Sequence, residues 1–109
     1  KKPMISFNEK VYRIIRKIPK GKISTYKAVA KAIGKPLAYR AVGNALNKSP
    51  GMAKNLPAGR QAPCHRVIAS DGSLGGYANG LKAKARILKK EGVVIENNRI
   101  NLKKFGHFF

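Results

Sequence analysis

Apolar residues return at helical spacing three times in the first half of the chain and once in the second. In "SFNEKVYRIIRKI", Phe7, Val11, Ile14, Ile15 and Ile18 share one face, Ser6 and Glu9 stand at the spacing of a capping box, and "PKG" at 19–21 closes the run. "STYKAVAKAIG" opens on a hydroxyl cap, Ser24 or Thr25, sets Val29 and Ile33 four apart and stops at Gly34. Pro36 suits the first turn of a third helix. In that helix Ala38, Ala41, Val42, Ala45 and Leu46 of "LAYRAVGNALN" are expected to face the core. Two short helices parted by "GKP" have the outline of a helix-turn-helix, in which the second helix lies on DNA and the first holds it in place. Short helix pairs of this kind also occur in domains that never touch DNA.

Residues 48–62, "KSPGMAKNLPAGRQA", keep no period and carry two prolines and two glycines, which predicts a long exposed loop. "RVIAS" reads as a short strand closed by the turn "DG". Helical spacing returns in "GLKAKARILKKEG" through Leu81, Ala85 and Leu88, with basic residues in the last turns and Gly92 at the stop. "VVIENNRINL" reads as two strands turned at Asn97-Asn98, followed by an aromatic tail of Phe105, Phe108 and Phe109. The expected fold is mainly α with short β elements, a single compact winged helix-turn-helix-like domain over 1–109. That length suits one domain with a modest core.

Charge narrows the partner. The 109 residues carry 24 Lys and Arg against four acids, Glu9, Asp71, Glu91 and Glu96, for a net charge of +20. A solvated thermophile surface would enrich Glu alongside Lys, so a polyanion is expected, nucleic acid before an anionic membrane surface. No run approaches a membrane span, and "KKPMISF" lacks the apolar core of a signal peptide, so a cytoplasmic, reducing location is expected. There a lone thiol stays free.

That thiol is Cys64, the only cysteine, within "PCHR" at 63–66. It stands between a loop and a strand rather than inside an apolar run, a turn-like and partly exposed setting in which cationic neighbours favour the thiolate. On an extended backbone Cys64 and His65 point apart, so a water is the expected relay between them. A basic histidine needs a group to hold its tautomer. Of the four acids, Glu91 sits at a helix end where a negative charge is mildly unfavourable. A Cys64, His65, Glu91 constellation explains that position, and a solvated helix-end carboxylate is the other reading.

"PCHRVI" at 63–68, "GGYANG" at 75–80 and "LKAKARILKKEG" at 81–92, preceded by "GKISTYKAVAKAIG" and "YRAVGNAL", resemble the C-terminal catalytic domain of the O6-alkylguanine-DNA alkyltransferases, in order and in most of the spacing, from about Phe7 to about Leu102. The family's N-terminal domain is expected to be absent. The resemblance implies repair of O6-alkylguanine in duplex DNA by irreversible transfer of the alkyl group to Cys64. His65 would then be the base acting through a water, Glu91 its orienting acid, and Tyr26 the donor to N3 of the flipped guanine. On the substrate side the resemblance places Val67, whose carbonyl reads the guanine edge, with Leu74, Tyr77, Ala78 and Ser49. Tyr77 would wall the alkyl pocket and the Ala78 N–H would reach O6. On the DNA side it places Arg40 as the finger that fills the vacated stack, with Tyr39, Ala41, Gly43 and Arg66; flipping is needed because a stacked base cannot meet a thiol in line.

Where many members have Asn-Pro before the cysteine motif this chain has Ser49-Pro50, so Ser49 or Asn55 is expected to brace His65, and Lys54 and Arg60 of the lengthened loop are candidate DNA contacts. No cofactor or metal is implied, and a monomer on double-stranded DNA is expected. Two other readings compete. An alkyltransferase-like protein would bind alkylated DNA without transfer, but such proteins lack the acceptor cysteine. A basic winged-helix regulator would explain the charge and the helix pair while leaving Cys64, His65, Glu91 and the glycine-rich loop unexplained.

Overall fold

In the computed structural model, which describes residues 6–48, 61–75 and 80–109, helix α1 (Phe7–Ile15) begins where Ser6 Oγ accepts from the Glu9 N–H at 3.1 Å. The Glu9 carboxylate turns to Arg16 Nη1, at 3.4 Å. The helix ends at Ile15, short of Ile18, because the chain tightens into i to i−3 bonds from Lys17 to Ile14 and from Ile18 to Ile15, each 3.0 Å. Ile18 is buried all the same.

Of the two candidate caps, Thr25 is the one used, since its Oγ1 accepts from the Ala28 N–H at 3.1 Å and starts α2 (Tyr26–Ala32). Ser24 instead pairs in a two-residue strand, β1 (Ser24–Thr25), parallel to β2 (Val67–Ile68), with Ser24 opposite Val67 and Thr25 opposite Ile68. Pro36 does not open the third helix. Residues 36–38 form a turn in which the Ala38 N–H reaches Lys35 O at 2.9 Å, and α3 runs over Tyr39–Asn47. Val42, Ala45 and Leu46 face inward from it, whereas Ala41, expected in the core, is exposed on the opposite side.

Helices α1, α2 and α3 close on a first core that includes Val11, Ile15, Val29, Ala30, Val42 and Ala45 and extends to Cys64 and Val67. A second core gathers Ile23, Ile68, Leu74, Leu88, Val93, Ile100 and Phe105. The strand pair divides them, since successive residues of β2 point to opposite faces: Val67 joins the first core and Ile68 the second. Helix α4 (Leu81–Lys90) lies against the second core through Leu88. Leu81, counted as its inner face, is 52% exposed, and Lys84 is buried there instead.

The expected hairpin after α4 reduces to its turn. Asn97 and Asn98 adopt the left-handed conformation, φ 53° and 61°, which the short polar Asn side chain tolerates. Glu96 and Arg99 exchange backbone bonds across them at 2.9 Å. Beyond that pair the chain bonds elsewhere: the Ile100 N–H goes to Gly72 O at 2.8 Å. Gly72, at φ +90°, stands where a Cβ would meet Ile100 O at 2.9 Å. The aromatic tail holds a short helix, α5 (Leu102–Phe105), capped by Asn101 and burying Phe105, and the His107 N–H returns to Ile23 O beside β1. The architecture is mainly helical with one small parallel sheet, and α2 and α3 form the helix-turn-helix pair.

Candidate active site

Pro63 leads into a single 3₁₀ turn, Cys64–Arg66, closed by the Arg66 N–H on Pro63 O at 2.9 Å. Arg16, the C-cap residue of α1, fixes the approach, its Nε donating to Gln61 O at 3.1 Å. Cys64 is 8% exposed and packs in the first core, which corrects the expectation of a partly exposed thiol. The reason is local: the turn folds "CHR" inward ahead of β2 instead of leaving it extended. Three residues per turn also set the Cys64 and His65 side chains about 120° apart rather than opposed.

Behind the thiol lies a closed polar set. His65 Nε2 is 3.0 Å from Glu91 Oε1. The Arg66 fork meets the same carboxylate, Nε to Oε1 at 2.9 Å and Nη2 to Oε2 at 2.6 Å, and Nη1 donates to Ile18 O at 3.0 Å. Glu91 is the C-cap residue of α4, so the acid at an unfavourable helix end has two partners there. Burial pushes the His65 imidazole below its usual range, against the pull of Glu91. Burial would raise the Glu91 carboxyl, but Arg66 first and then His65 hold it below the usual range. A neutral imidazole beside a carboxylate, which only accepts, carries its proton on Nε2 and leaves Nδ1 as the basic nitrogen. Arg66, expected on DNA, is thus corrected: it is 9% exposed and its guanidinium is committed inside.

Lys84 does not stand out as a site residue in the sequence. It is 0% exposed, and its Nζ donates to Val67 O at 2.6 Å and Leu74 O at 2.5 Å while standing 5.9 Å from the centre of the Tyr26 ring. Burial brings this amine down to about 8, with Cys64 nearby pulling it up. Its spacing of four from Leu88 is the available signal, hidden because a lysine scores as polar. The Val67 carbonyl, expected to read a guanine edge, therefore has Lys84 as a partner. The Leu74 side chain belongs to the second core, and what it shows the site is its carbonyl. Gly75, at φ +69°, lies under Tyr26, where a Cβ would be 2.8 Å from the phenol oxygen. Tyr77, Ala78, Ser49, Asn55, Lys54 and Arg60 lie outside the described residues.

Tyr26 links this interior to the outer face of the helix pair. A recess of about 320 Å³ is lined by Tyr26, Tyr39, Arg40, Gly43, Asn44 and Asn47. Arg40 and Ala41 are exposed, and Lys27 Nζ stands 5.6 Å from the Tyr39 ring centre. Asn44 and Asn47 are not among the residues that the sequence singles out; their step of three along α3 is the signal that could have found them. Among the described residues no group of three or more His, Cys, Asp or Glu could hold a metal, and no helix there is long and apolar enough to cross a membrane.

Comparison with known proteins bears on this arrangement. The model of the 6-O-methylguanine DNA methyltransferase DNA binding domain matches residues 6–93. The methylated-DNA–protein-cysteine methyltransferase of Methanosarcina barkeri is 49% identical over 92 residues, 84% of this chain and 51% of that protein. The chain spans about half the length of the curated relatives it matches. Among solved structures, S. pombe Atl1 in complex with damaged DNA containing O6-carboxymethylguanine is similar at a TM-score of 0.73 and 33% identity, covering 91% of this chain and 92% of that one. The O6-methylguanine-DNA methyltransferase of the hyperthermophilic archaeon Pyrococcus kodakaraensis is similar at 0.65 and 37% identity, covering 82% and 47%.

Proposed function

The chain belongs to the 6-O-methylguanine DNA methyltransferase family, and on that premise we propose that it repairs O6-alkylguanine in duplex DNA by taking the alkyl group onto Cys64, once per protein molecule. The observation that carries this reading is the His65 to Glu91 contact at 3.0 Å in the turn that holds the only thiol. Nδ1 of His65 takes the Cys64 proton through a water. The thiolate attacks the alkyl carbon in line, so an S–C bond forms as the C–O6 bond breaks and the electron pair passes into the guanine ring. Tyr26 supplies a proton to N3 of the leaving base, and the proton removed from Cys64 balances it.

Because Cys64 lies in the core, the base must come to the thiol, which calls for flipping. Arg40, which is exposed at the start of α3, enters the vacated stack, and the small residues Ala41, also exposed, and Gly43 allow α3 to approach a groove floor closely. Incubation with a duplex bearing O6-methylguanine, followed by intact mass measurement, tests the reading. A gain of one methyl group, abolished by Cys64→Ala, is expected; an unchanged mass in a folded, DNA-binding sample would sink it.

The Atl1 likeness, which covers more than nine-tenths of both chains, favours a second reading, binding of alkylated DNA without transfer. Against it stands the thiol with a base and an orienting acid at hand. Tight binding of the lesion with no mass gain would favour that alternative.

A further inference from the structure

The proposed reaction gives Arg66 no part, yet three protein acceptors surround this buried side chain. We propose that Arg66 is a positioning residue for the base: by gripping both oxygens of Glu91 and the Ile18 carbonyl, it fixes the carboxylate that orients His65. The inference rests on the transfer reading and deepens the account of the same site.

A guanidinium does not lose its proton in a protein and needs partners when buried. Here its fork spans both carboxylate oxygens, at 2.9 and 2.6 Å, and the remaining nitrogen reaches the exit of α1 through Ile18 O at 3.0 Å. One group thus ties α1, the cysteine turn and the end of α4 together. Without it, the Glu91 carboxylate would be held by His65 Nε2 alone, through Oε1, and the orientation it sets for the imidazole would no longer be fixed. Glu91 Oε1 has two lone pairs and serves Arg66 Nε and His65 Nε2 at once. Sharing has a consequence for charge. A protonated His65 would be a second cation on a carboxylate already paired, so Arg66 opposes protonation of the imidazole while Glu91 holds its orientation. The other charged group acting on His65 among the described residues is Lys84 of α4, whose charge acts in the same sense as Arg66. Glu9 of α1 and Arg16 at its C-cap are engaged with each other, and Arg16 also with Gln61 O.

The test follows the imidazole itself. The chain has two histidines, His65 and His107, so proton NMR titration of the intact protein reads His65 with His107 as an internal reference. In Arg66→Met the His65 titration is expected to move to higher pH, and the acid limb of Cys64 alkylation by iodoacetamide to move with it. In Arg66→Lys, which keeps the charge and loses the fork, the hydrogen-bonded Nε2 proton is expected to exchange faster. Methyl transfer from duplex is expected to slow roughly tenfold or more in Arg66→Met at neutral pH with duplex binding retained. A His65 titration unmoved in folded Arg66→Met would overturn the proposal. Should that variant not fold, unchanged Nε2 proton exchange in Arg66→Lys would overturn it equally. The titration and alkylation readouts need no DNA, so an unmoved His65 in a protein that still accepts methyl groups sinks the role of Arg66 alone, whereas a wild type without methyl transfer sinks the reaction.

Discussion

The interior around Cys64 and the outer face of α2 and α3 treat their polar groups in opposite ways. Inside, His65, Arg66 and Lys84 are buried and Glu91 is partly buried, and all four are held by protein partners at 2.5 to 3.0 Å. Outside, Arg40, Asn44 and Asn47 stand exposed, and no hydrogen bond or ion pair to another described residue holds Arg40. The difference separates two roles. Chemistry on a thiol requires a base fixed before the substrate arrives, since geometry set only on binding would draw on the binding energy. Contact with a polyanion requires the reverse: side chains already satisfied by the protein would have to break those bonds to reach a phosphate or a base. Tyr26, packed on Gly75 and lining the outer recess, belongs to both regions.

The comparison breaks most completely at the thiol. Cys64→Ala is expected to abolish methyl uptake by mass while leaving duplex affinity and its salt dependence intact, because the proposed reading puts the phosphate contacts on the outer face of α2 and α3. A parallel loss of affinity would mean that the two regions are not separable. Glu91→Gln comes next. It leaves Arg66 with a weaker partner and His65 without a charged one, so transfer is expected to slow on the order of 100-fold and stability to fall by about 3 kcal/mol, measured by single-turnover kinetics and denaturant unfolding. Retained kinetics would show that the contact is structural only.

On the outer face, Arg40→Ala is expected to slow transfer from duplex roughly tenfold, about the unstacking energy one side chain returns, with alkylation of Cys64 by iodoacetamide unchanged. Equal losses on duplex and on free O6-methylguanine base would remove Arg40 from the flipping step and blur the division.

Legibility in the sequence follows the same division. The caps at Ser6 and Thr25, the turn at Asn97-Asn98 and the stop at Gly92 are readable because each rests on a local bond or a backbone conformation that few residues favour. The neighbours Cys64 and His65, and the odd position of Glu91, are readable as chemistry. What is not readable depends on burial of cations. Arg66 is one of 24 basic residues, and nothing local distinguishes the one that turns inward. Lys84 interrupts an apolar stripe and so argues against the face it occupies. The strand pair is hidden because two residues per strand give no alternation, and the third helix starts late because the turn bond from Ala38 to Lys35 overrides the preference of Pro36 for a first turn.

Lys84 sharpens the comparison through pH, with the smallest effect. Its folded value of about 8 lies below the 10.5 of a free lysine. Between those values the unfolded chain binds more protons than the folded one, so the Lys84 contribution to stability rises with pH over that window and is least favourable below it. The readout is the difference between wild type and Lys84→Met, in which the contributions of all other groups cancel. Removing the Val67 and Leu74 bonds lowers stability at every pH; the slope between pH 8 and 10.5 is what isolates the charge. The wild type is expected to gain stability relative to Lys84→Met across that range by urea unfolding, and parallel curves would mean that the interior solvates this ammonium as well as water does.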